Sequence, residues 1–193
     1  MRRAELEHAI RAATEIVASD RVIVIGSQSI LGSFSEDQLP DEATMSIEVD
    51  IAPLDDDDAG ALATRIDAAL GEWSQFHETY GFYVQGVGRE TAVLPAGWEQ
   101  RLVPVQGPET NDRVGLCLDV HDLCVAKLAA ARQKDFRFVG ALLAAGLVDL
   151  HVIERRTRAL PGSAARTRES IEAWIGANRV RRAGPAPGRD AEL

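Results

Sequence analysis

The sequence predicts an α/β (α+β) fold: a mixed β-sheet flanked by helices, with a C-terminal helical segment. Three observations predict it. Apolar residues near the amino terminus recur at three- and four-residue spacing, short β-branched runs are separated by Gly and Pro, and a further helical pattern follows residue 119. At 193 residues, 46% of them hydrophobic, the chain is long enough for one full core, or for a core with an appendage.

The first elements follow from the pattern of residues 3–52. The apolar positions of residues 3–18 predict an amphipathic helix. Residues 21–25 form a β-branched run that is typical of a buried strand and ends at Gly26, so a helix is predicted to begin at Ser27 or Ser29. Residues 45–52 then alternate, which puts Ile47, Val49 and Ile51 on one strand face and Ser46, Glu48 and Asp50 on the other.

The later elements are less regular. The acidic run 55–58 is predicted to cap a helix over residues 61–70. Residues 82–93 and 102–105 are β-rich and are predicted to be antiparallel strands with a turn at 96–100. A strand at 114–118 then leads into a helix that carries both lysines of the chain, and a final helix is predicted over about 166–175.

Charge is divided unevenly along the chain. The net charge is −9, and residues 154–193 hold nine arginines against five acids, a charge of +4 that leaves −13 on residues 1–153. We therefore predict a main domain over 1–153 and an Arg-rich helical extension with a disordered tail over 154–193. A basic extension suits nucleic acid or an acidic protein partner, although a solvated helical face explains it equally well.

The remaining composition predicts a cytoplasmic protein. Two cysteines, Cys117 and Cys124, are too few for a disulfide framework and are expected to be buried apolar side chains. No His/Cys spacing is typical of a zinc site. No stretch approaches eighteen uninterrupted apolar residues, so no membrane partner is expected.

The distribution of lysines indicates a functional site. The two lysines, Lys127 and Lys134, stand against nineteen arginines and lie within one short stretch. An ammonium reaches a phosphate as a point charge, which the planar guanidinium does not reproduce, although a coding bias could leave two neighbours by chance. On one continuous helix Lys134 would lie within about 20° of Lys127, and Asp135 within about 80°, so we predict a charged face that also includes Arg132.

Three segments could form one site. Backbone N–H groups of Gly26 and Ser27 would hold phosphates at the start of a helix, and Ser29 is a further candidate contact. Glu48 and Asp50, two residues apart on one strand face, could share a divalent cation, for which Mg²⁺ is the natural choice. Taken singly, these segments are also explained by a turn, a solvated strand face and an exposed set of ion pairs.

The order of these segments resembles that of the bacterial minimal nucleotidyltransferases, which include the AbiEii-like and MenT-like toxins of toxin–antitoxin pairs. The resemblance covers about residues 20–150 and rests on segments 25–32, 46–51 and 121–135. It implies a nucleotidyltransferase-like fold and transfer of a nucleotide from an NTP to an acceptor. RNA, in particular tRNA, is the expected acceptor, and a cognate antitoxin is a candidate partner.

The resemblance also assigns roles to residues. Ser27 takes the phosphate-contacting position, Glu48 and Asp50 take the Mg²⁺ pair, and Asp119 is nominated as a third metal carboxylate, although helix capping explains Asp119 equally well. The basic nucleotide motif comprises Lys127, Arg132, Lys134 and Asp135. Asp50, Glu48 and Lys127 are the predicted catalytic residues. In two respects the chain departs from the family pattern: Glu48 stands where Asp is usual, and the spacing from Gly26 to Glu48 is longer than usual.

Two other functions compete with an enzyme. One is a catalytically silent module of the same fold that binds a nucleotide or a protein. The other is an RNA-binding regulator that acts through the arginine-rich extension, for which salt-sensitive RNA binding is expected.

Overall fold

The computed structural model describes residues 1–55 and 60–183, with side chains as far as residue 179. Most of the acidic run 55–58 and the tail after residue 183, predicted to be disordered, lie outside the described residues.

The described part of the chain forms eight α-helices and five strands, joined by short 3₁₀ segments. The helices are α1 (Arg3–Val17), α2 (Asp41–Thr44), α3 (Ala61–Leu70), α4 (Gln75–Tyr80), α5 (Val120–Ala130), α6 (Gln133–Ala144), α7 (Leu150–Arg158) and α8 (Ala165–Ala183). The strands are β1 (Arg21–Val24), β2 (Glu48–Pro53), β3 (Tyr83–Gly86), β4 (Val103–Val105) and β5 (Val114–Cys117).

The five strands form one mixed sheet in the order β3-β2-β1-β5-β4. The central strand β1 runs antiparallel to β2 and parallel to β5. Strand β3 pairs with β2 in parallel, and β4 pairs with β5 antiparallel. Val22, Ile23 and Val24 of β1 are buried, as expected for a strand with neighbours on both sides and helices over the sheet. The predicted fold class is confirmed.

One predicted strand pairing is wrong. Residues 82–93 and 102–105 were expected to pair with each other, yet β3 and β4 lie at opposite edges of the sheet. The β-structure of the first segment ends at Gly86, and 3₁₀ turns at Arg89–Thr91 and Trp98–Arg101 follow. Turn residues between two β-rich segments indicate that the chain bends, but they do not determine which strands become neighbours.

The C-terminal helices pack on the same core as the sheet. Ile171 and Ile175 of α8 belong to the main hydrophobic cluster, and the ring of Trp174 stacks on that of Phe136 at 6.2 Å. The boundary predicted between residues 153 and 154 falls inside α7. Cys117 and Cys124 are free and buried, as expected. Within the described ranges, no helix has the length and apolar character needed to cross a membrane.

Candidate active site

A cleft of about 1110 Å³ opens between β2 and β3 on one side and the junction of α5 and α6 on the other. It brings together residues from five separate segments of the chain. The predicted site residues that line it are Ser27, Glu48, Asp50, Lys127, Arg132, Lys134 and Asp135.

One wall of the cleft is acidic and consists of Glu48 and Asp50, which we call the acidic wall. Both lie on β2 and alternate with Val49 and Ile51, which are 0% exposed. The alternation of the strand therefore turns both carboxylates toward the cleft, as the sequence predicted. Ile47 departs from the predicted pattern: it precedes β2 and is 47% exposed.

Gly26 lies directly against the side chain of Asp50. A Cβ atom at Gly26 would stand 1.5 Å from Oδ2 of Asp50, which is far inside contact distance. The backbone N–H of Ile25 donates to the carbonyl oxygen of Asp50 at 3.0 Å, so β1 and β2 hold these residues together. Glycine is required here because of this close approach, since its φ of −74° is accessible to any residue.

Ionisation of Asp50 in the acidic wall is unfavourable. The pKa of Asp50 is raised to about 6, chiefly by burial and also by the neighbouring charge of Glu48. The charges of Lys127, Arg132 and Lys134 oppose that rise. A partly buried carboxyl group beside a second carboxylate is a favourable place for a positive charge.

Tyr83, on β3, stands beside Glu48 in the register of the two strands. Burial, the charge of Glu48 and a hydrogen bond to Glu48 raise the pKa of Tyr83 to about 12. The hydroxyl therefore stays protonated at neutral pH and donates a hydrogen bond to the Glu48 carboxylate. This hydrogen bond orients the carboxylate.

The opposite wall is basic and consists of Lys127, Arg132 and Lys134, which we call the basic wall. The prediction of one continuous helix is wrong: α5 ends at Ala130, Ala131 has a left-handed backbone with φ of 55°, and α6 begins at Gln133. The calculated angle between the two lysines on one helix therefore does not apply. Ala is the strongest helix former, so the local sequence does not indicate this break.

Asp135 joins the two helices of the basic wall. Its carboxylate is 1% exposed, with Oδ1 at 3.4 Å from Nζ of Lys127 and Oδ2 at 2.7 Å from Nε of Arg132. Burial raises the pKa of Asp135, but the hydrogen bond from Arg132 and the charges of Lys127 and Arg132 outweigh it, so the pKa lies below its usual value. Nζ of Lys127 also lies 5.6 Å from the ring centroid of Phe138.

The segment after β1 is a short 3₁₀ helix, Ser27–Gly32. Only one of its two candidate serines lies at the cleft. Ser27 lines the cleft, whereas Ser29 is 0% exposed and does not line it. The structure therefore does not place Ser29 as a phosphate contact, because the tight 3₁₀ turn directs it into the core. Gln28, which the sequence did not single out, is buried, and its Nε2 donates to the carbonyl oxygen of Ser46 at 3.1 Å.

Asp119 lies away from the acidic wall. It is the N-cap of α5, and its carboxylate accepts from the backbone N–H of His121 at 3.0 Å and of Asp122 at 3.4 Å. It follows β5, which β1 separates from β2, and it does not line the cleft. The structure thus does not bring Asp119 to Glu48 and Asp50. No group of three His, Cys, Asp or Glu residues in the described ranges could hold a metal ion.

Sequence reasoning missed four polar residues that line the cleft, Glu42, Gln85, Thr91 and Arg137, and a neighbouring cavity that is mostly apolar. Gln85 of β3 and Arg137 of α6 line the cleft. A smaller cavity of about 160 Å³ is also lined by Asp50 and Lys127, and its other lining residues are mostly apolar. Gln85 was missed because the neighbour of β3 was predicted incorrectly, whereas Arg137 follows Lys134 by one helical turn and could have been found from that spacing.

Comparison with known proteins agrees with this geometry. Residues 4–173 match the model of a protein family described as "Nucleotidyltransferase of unknown function (DUF6036)". No curated protein and no solved structure matches the chain. The match supports the nucleotidyltransferase part of the resemblance but not a toxin subfamily. Because it covers most of the chain, the protein belongs to this family of nucleotidyltransferases of unknown function.

Proposed function

We propose that the protein transfers a nucleotide from an NTP to an acceptor in a Mg²⁺-dependent reaction. The observation that carries the proposal is the arrangement of the cleft, in which the acidic wall on a rigid strand faces the basic wall across a volume of about 1110 Å³. Such a cleft offers carboxylates for a cation and cations for a polyphosphate. Family membership agrees with this chemistry.

The acidic wall would hold the metal. Carboxylate oxygens are the ligands that Mg²⁺ prefers, and the side chains of Glu48 and Asp50 fit the ion. When bound, the ion supplies neutralisation of the charge on the transferring phosphate. Gly26 allows Asp50 to lie against the backbone, and the hydroxyl of Tyr83 orients Glu48.

The basic wall would bind the polyphosphate. The side chain of Lys127 is 12% exposed and is fixed between Asp135 and Phe138, so its ammonium is oriented before a substrate arrives. The side chain of Arg132 is 57% exposed, which leaves it able to contact a phosphate or the acceptor. Lys134 adds a further cation at the same rim, and Ser27 lies at the cleft to contact a phosphate.

We propose RNA, in particular tRNA, as the acceptor. Exposed arginines on the C-terminal helices, such as Arg155 and Arg166, support an electrostatic contribution to RNA binding. Part of the basic charge of these helices is paired within the protein, because Arg158 and Arg179 both form ion pairs with Glu154. This internal pairing weakens the hypothesis of a regulator that acts through the extension alone.

The toxin role rests on the resemblance alone. We propose that expression of the protein without a partner arrests bacterial growth and that a cognate antitoxin relieves the arrest. Growth after induction, compared between the wild type and Asp50→Asn at equal protein levels, tests this proposal. Equal growth of the two strains would contradict it.

The transferase is tested by incubating the purified protein with each α-labelled NTP, Mg²⁺ and total RNA, followed by gel electrophoresis. Label on RNA with the wild type, and none with Asp50→Asn or after chelation of the metal, is expected. Label that is equally strong with Asp50→Asn would contradict the proposed role of the acidic wall.

A catalytically silent binding module is the second candidate. One observation favours it: the residue beside Asp50 on the neighbouring strand is the amide Gln85, so these two strands supply only two carboxylates, and in the described ranges no group of three His, Cys, Asp or Glu residues could hold a metal ion. Such a module would bind an NTP and give no product. Equilibrium binding of labelled NTP by a protein that labels no acceptor would support it.

A further inference from the structure

Gln85 is the cross-strand neighbour of Asp50. Strands β2 and β3 are parallel, and their register pairs Glu48 with Tyr83 and Asp50 with Gln85. Residues in register on adjacent strands project from the same face of the sheet, about 5 Å apart. Gln85 accordingly lines the same cleft as the two carboxylates.

Glu48, Asp50, Tyr83 and Gln85 form one patch on the sheet, and they differ in their ability to bind a cation. Glu48 and Asp50 offer carboxylate oxygens, whereas the hydroxyl of Tyr83 donates a hydrogen bond to Glu48. Gln85 offers an amide oxygen, which hard divalent cations accept as a ligand. The patch therefore offers a cation three side chains as oxygen ligands, with a total charge of −2 when both carboxylates are ionised.

The charge of the ligand set determines when the cation binds. Affinity for hard cations rises with the number of charged ligands in the site. Two carboxylates and one neutral amide bind a bare cation less strongly than three carboxylates would. A polyphosphate held on the basic wall brings the missing negative charge to the same cleft.

We propose that the amide oxygen of Gln85 is a protein ligand of the divalent cation. Because this ligand is neutral, the site binds the cation tightly only together with a polyphosphate. This inference rests on the proposed function. It makes Gln85 a direct ligand of the metal, and it gives the cleft a preference for the metal–polyphosphate complex over the free ion.

The test uses Mn²⁺ as the cation and inorganic tripolyphosphate as a probe that is independent of the base. Enhancement of water-proton relaxation reports binding of Mn²⁺, alone or in its complex, to the full-length protein. The wild type is expected to bind Mn²⁺ weakly alone and more tightly with tripolyphosphate. Gln85→Glu, which keeps the shape of the side chain, is expected to tighten binding of Mn²⁺ alone by roughly tenfold or more.

Two further variants isolate the effect of the amide. Gln85→Leu removes the oxygen and is expected to weaken binding of the Mn²⁺–tripolyphosphate complex by roughly tenfold. Gln75→Glu adds the same charge on an exposed residue of α4 that does not line the cleft, and its Mn²⁺ affinity is expected to equal that of the wild type. Circular dichroism verifies that each variant is folded.

The outcomes separate this inference from the proposed function. If Gln85→Glu and Gln75→Glu bind Mn²⁺ alike and Gln85→Leu binds the complex like the wild type, the inference is overturned. In that case, loss of binding in Asp50→Asn would still support the acidic wall. If the wild type binds Mn²⁺ neither alone nor with tripolyphosphate, both the inference and the metal-dependent function fail.

Discussion

The two walls of the cleft are built in different ways. The acidic wall lies on β2, where the buried Val49 and Ile51 alternate with Glu48 and Asp50, so regular strand geometry directs the carboxylates. The basic wall lies at the junction of α5 and α6, where the left-handed backbone of Ala131 ends the first helix. The buried carboxylate of Asp135 contacts Lys127 and Arg132 and so connects the two helices. The first wall depends on secondary structure and the second on tertiary contacts.

This difference indicates how each wall should respond to substitution. Substitutions in the acidic wall should abolish nucleotide transfer and leave stability unchanged, because the buried residues of β2 hold the strand in place. Changes at the basic wall should reduce stability as well, because Asp135 both orients the cations and connects α5 with α6. Four substitutions, taken from the largest expected effect to the smallest, test this contrast.

Asp50→Asn should reduce transfer by about 1,000-fold or more, because the proposed metal site would lose one of its two charged ligands. Thermal stability should be unchanged or higher, since the substitution also removes a buried charge next to Glu48. Initial rates with α-labelled NTP and a thermal melt measure the two effects. A lower melting temperature together with lost activity would show that the acidic wall is not independent of the fold.

Asp135→Asn should lower the free energy of unfolding by about 3 kcal/mol, at the lower end for a buried ion pair because Arg132 is largely exposed. The pKa of Asp135 is lowered in the folded protein, so its stabilisation is fully present above the unfolded pKa of about 4 and is lost as the pH falls through the folded pKa. Urea unfolding at several pH values measures the effect.

The control for this prediction is Asp37→Asn, which changes an exposed carboxylate and should leave stability within about 0.5 kcal/mol of the wild type. The difference between Asp135→Asn and the wild type should be constant from pH 6 to 8, which lies well above the usual carboxyl pKa of about 4, and should shrink below it. A difference that grows as the pH falls would contradict the assignment of Asp135.

Gly26→Ala should reduce transfer by roughly 10- to 100-fold, because the new methyl group displaces the carboxylate of Asp50. The protein should still fold, since a side chain can move away from the added atom. Gly140→Ala in α6 is the matched control: nothing lies within 4 Å of its Cβ position, so activity should be retained and stability should rise slightly. Equal activity in both variants would contradict the close approach of Asp50 to Gly26.

Ala131→Gly should raise the free energy of unfolding by about 0.5–1 kcal/mol, because glycine relieves the left-handed backbone at the junction. Ala130→Gly, one residue earlier at the end of α5, should have the opposite sign and lower it by a similar amount. Chemical denaturation of both variants measures the pair. Destabilisation by both would mean that the helix is continuous through residue 131.

The contrast between the walls also explains how much the sequence could predict. The strand face of Glu48 and Asp50 follows from alternation, which is local, and the fold class follows from the order of such segments. The break at Ala131 could not be predicted, because Ala favours a helix and the break is held by contacts with Asp135. Gln85 could not be placed, because strand pairing is not local.

Two predicted site residues show the same limit. Ser29 and Asp119 were chosen by residue type and order in the chain. In the structure Ser29 is buried in a 3₁₀ turn, and Asp119 caps the start of α5. Lys127 and Lys134 were grouped on one helical face, and they do line one cleft, although they lie on two different helices. Residue type can nominate a candidate, and the tertiary structure decides which atoms meet.

The most direct test of nucleotidyl transfer compares two parallel reactions that differ only in the position of the label on the NTP. The protein is incubated with Mg²⁺, RNA and the same NTP labelled either at the α-phosphate or at the γ-phosphate, and RNA-bound label is counted. We predict that the α-label moves to RNA while the γ-label leaves in pyrophosphate. Transfer of the γ-label would indicate a phosphotransferase, and transfer of neither label by a protein that binds the NTP would contradict the proposed enzyme and support the binding module.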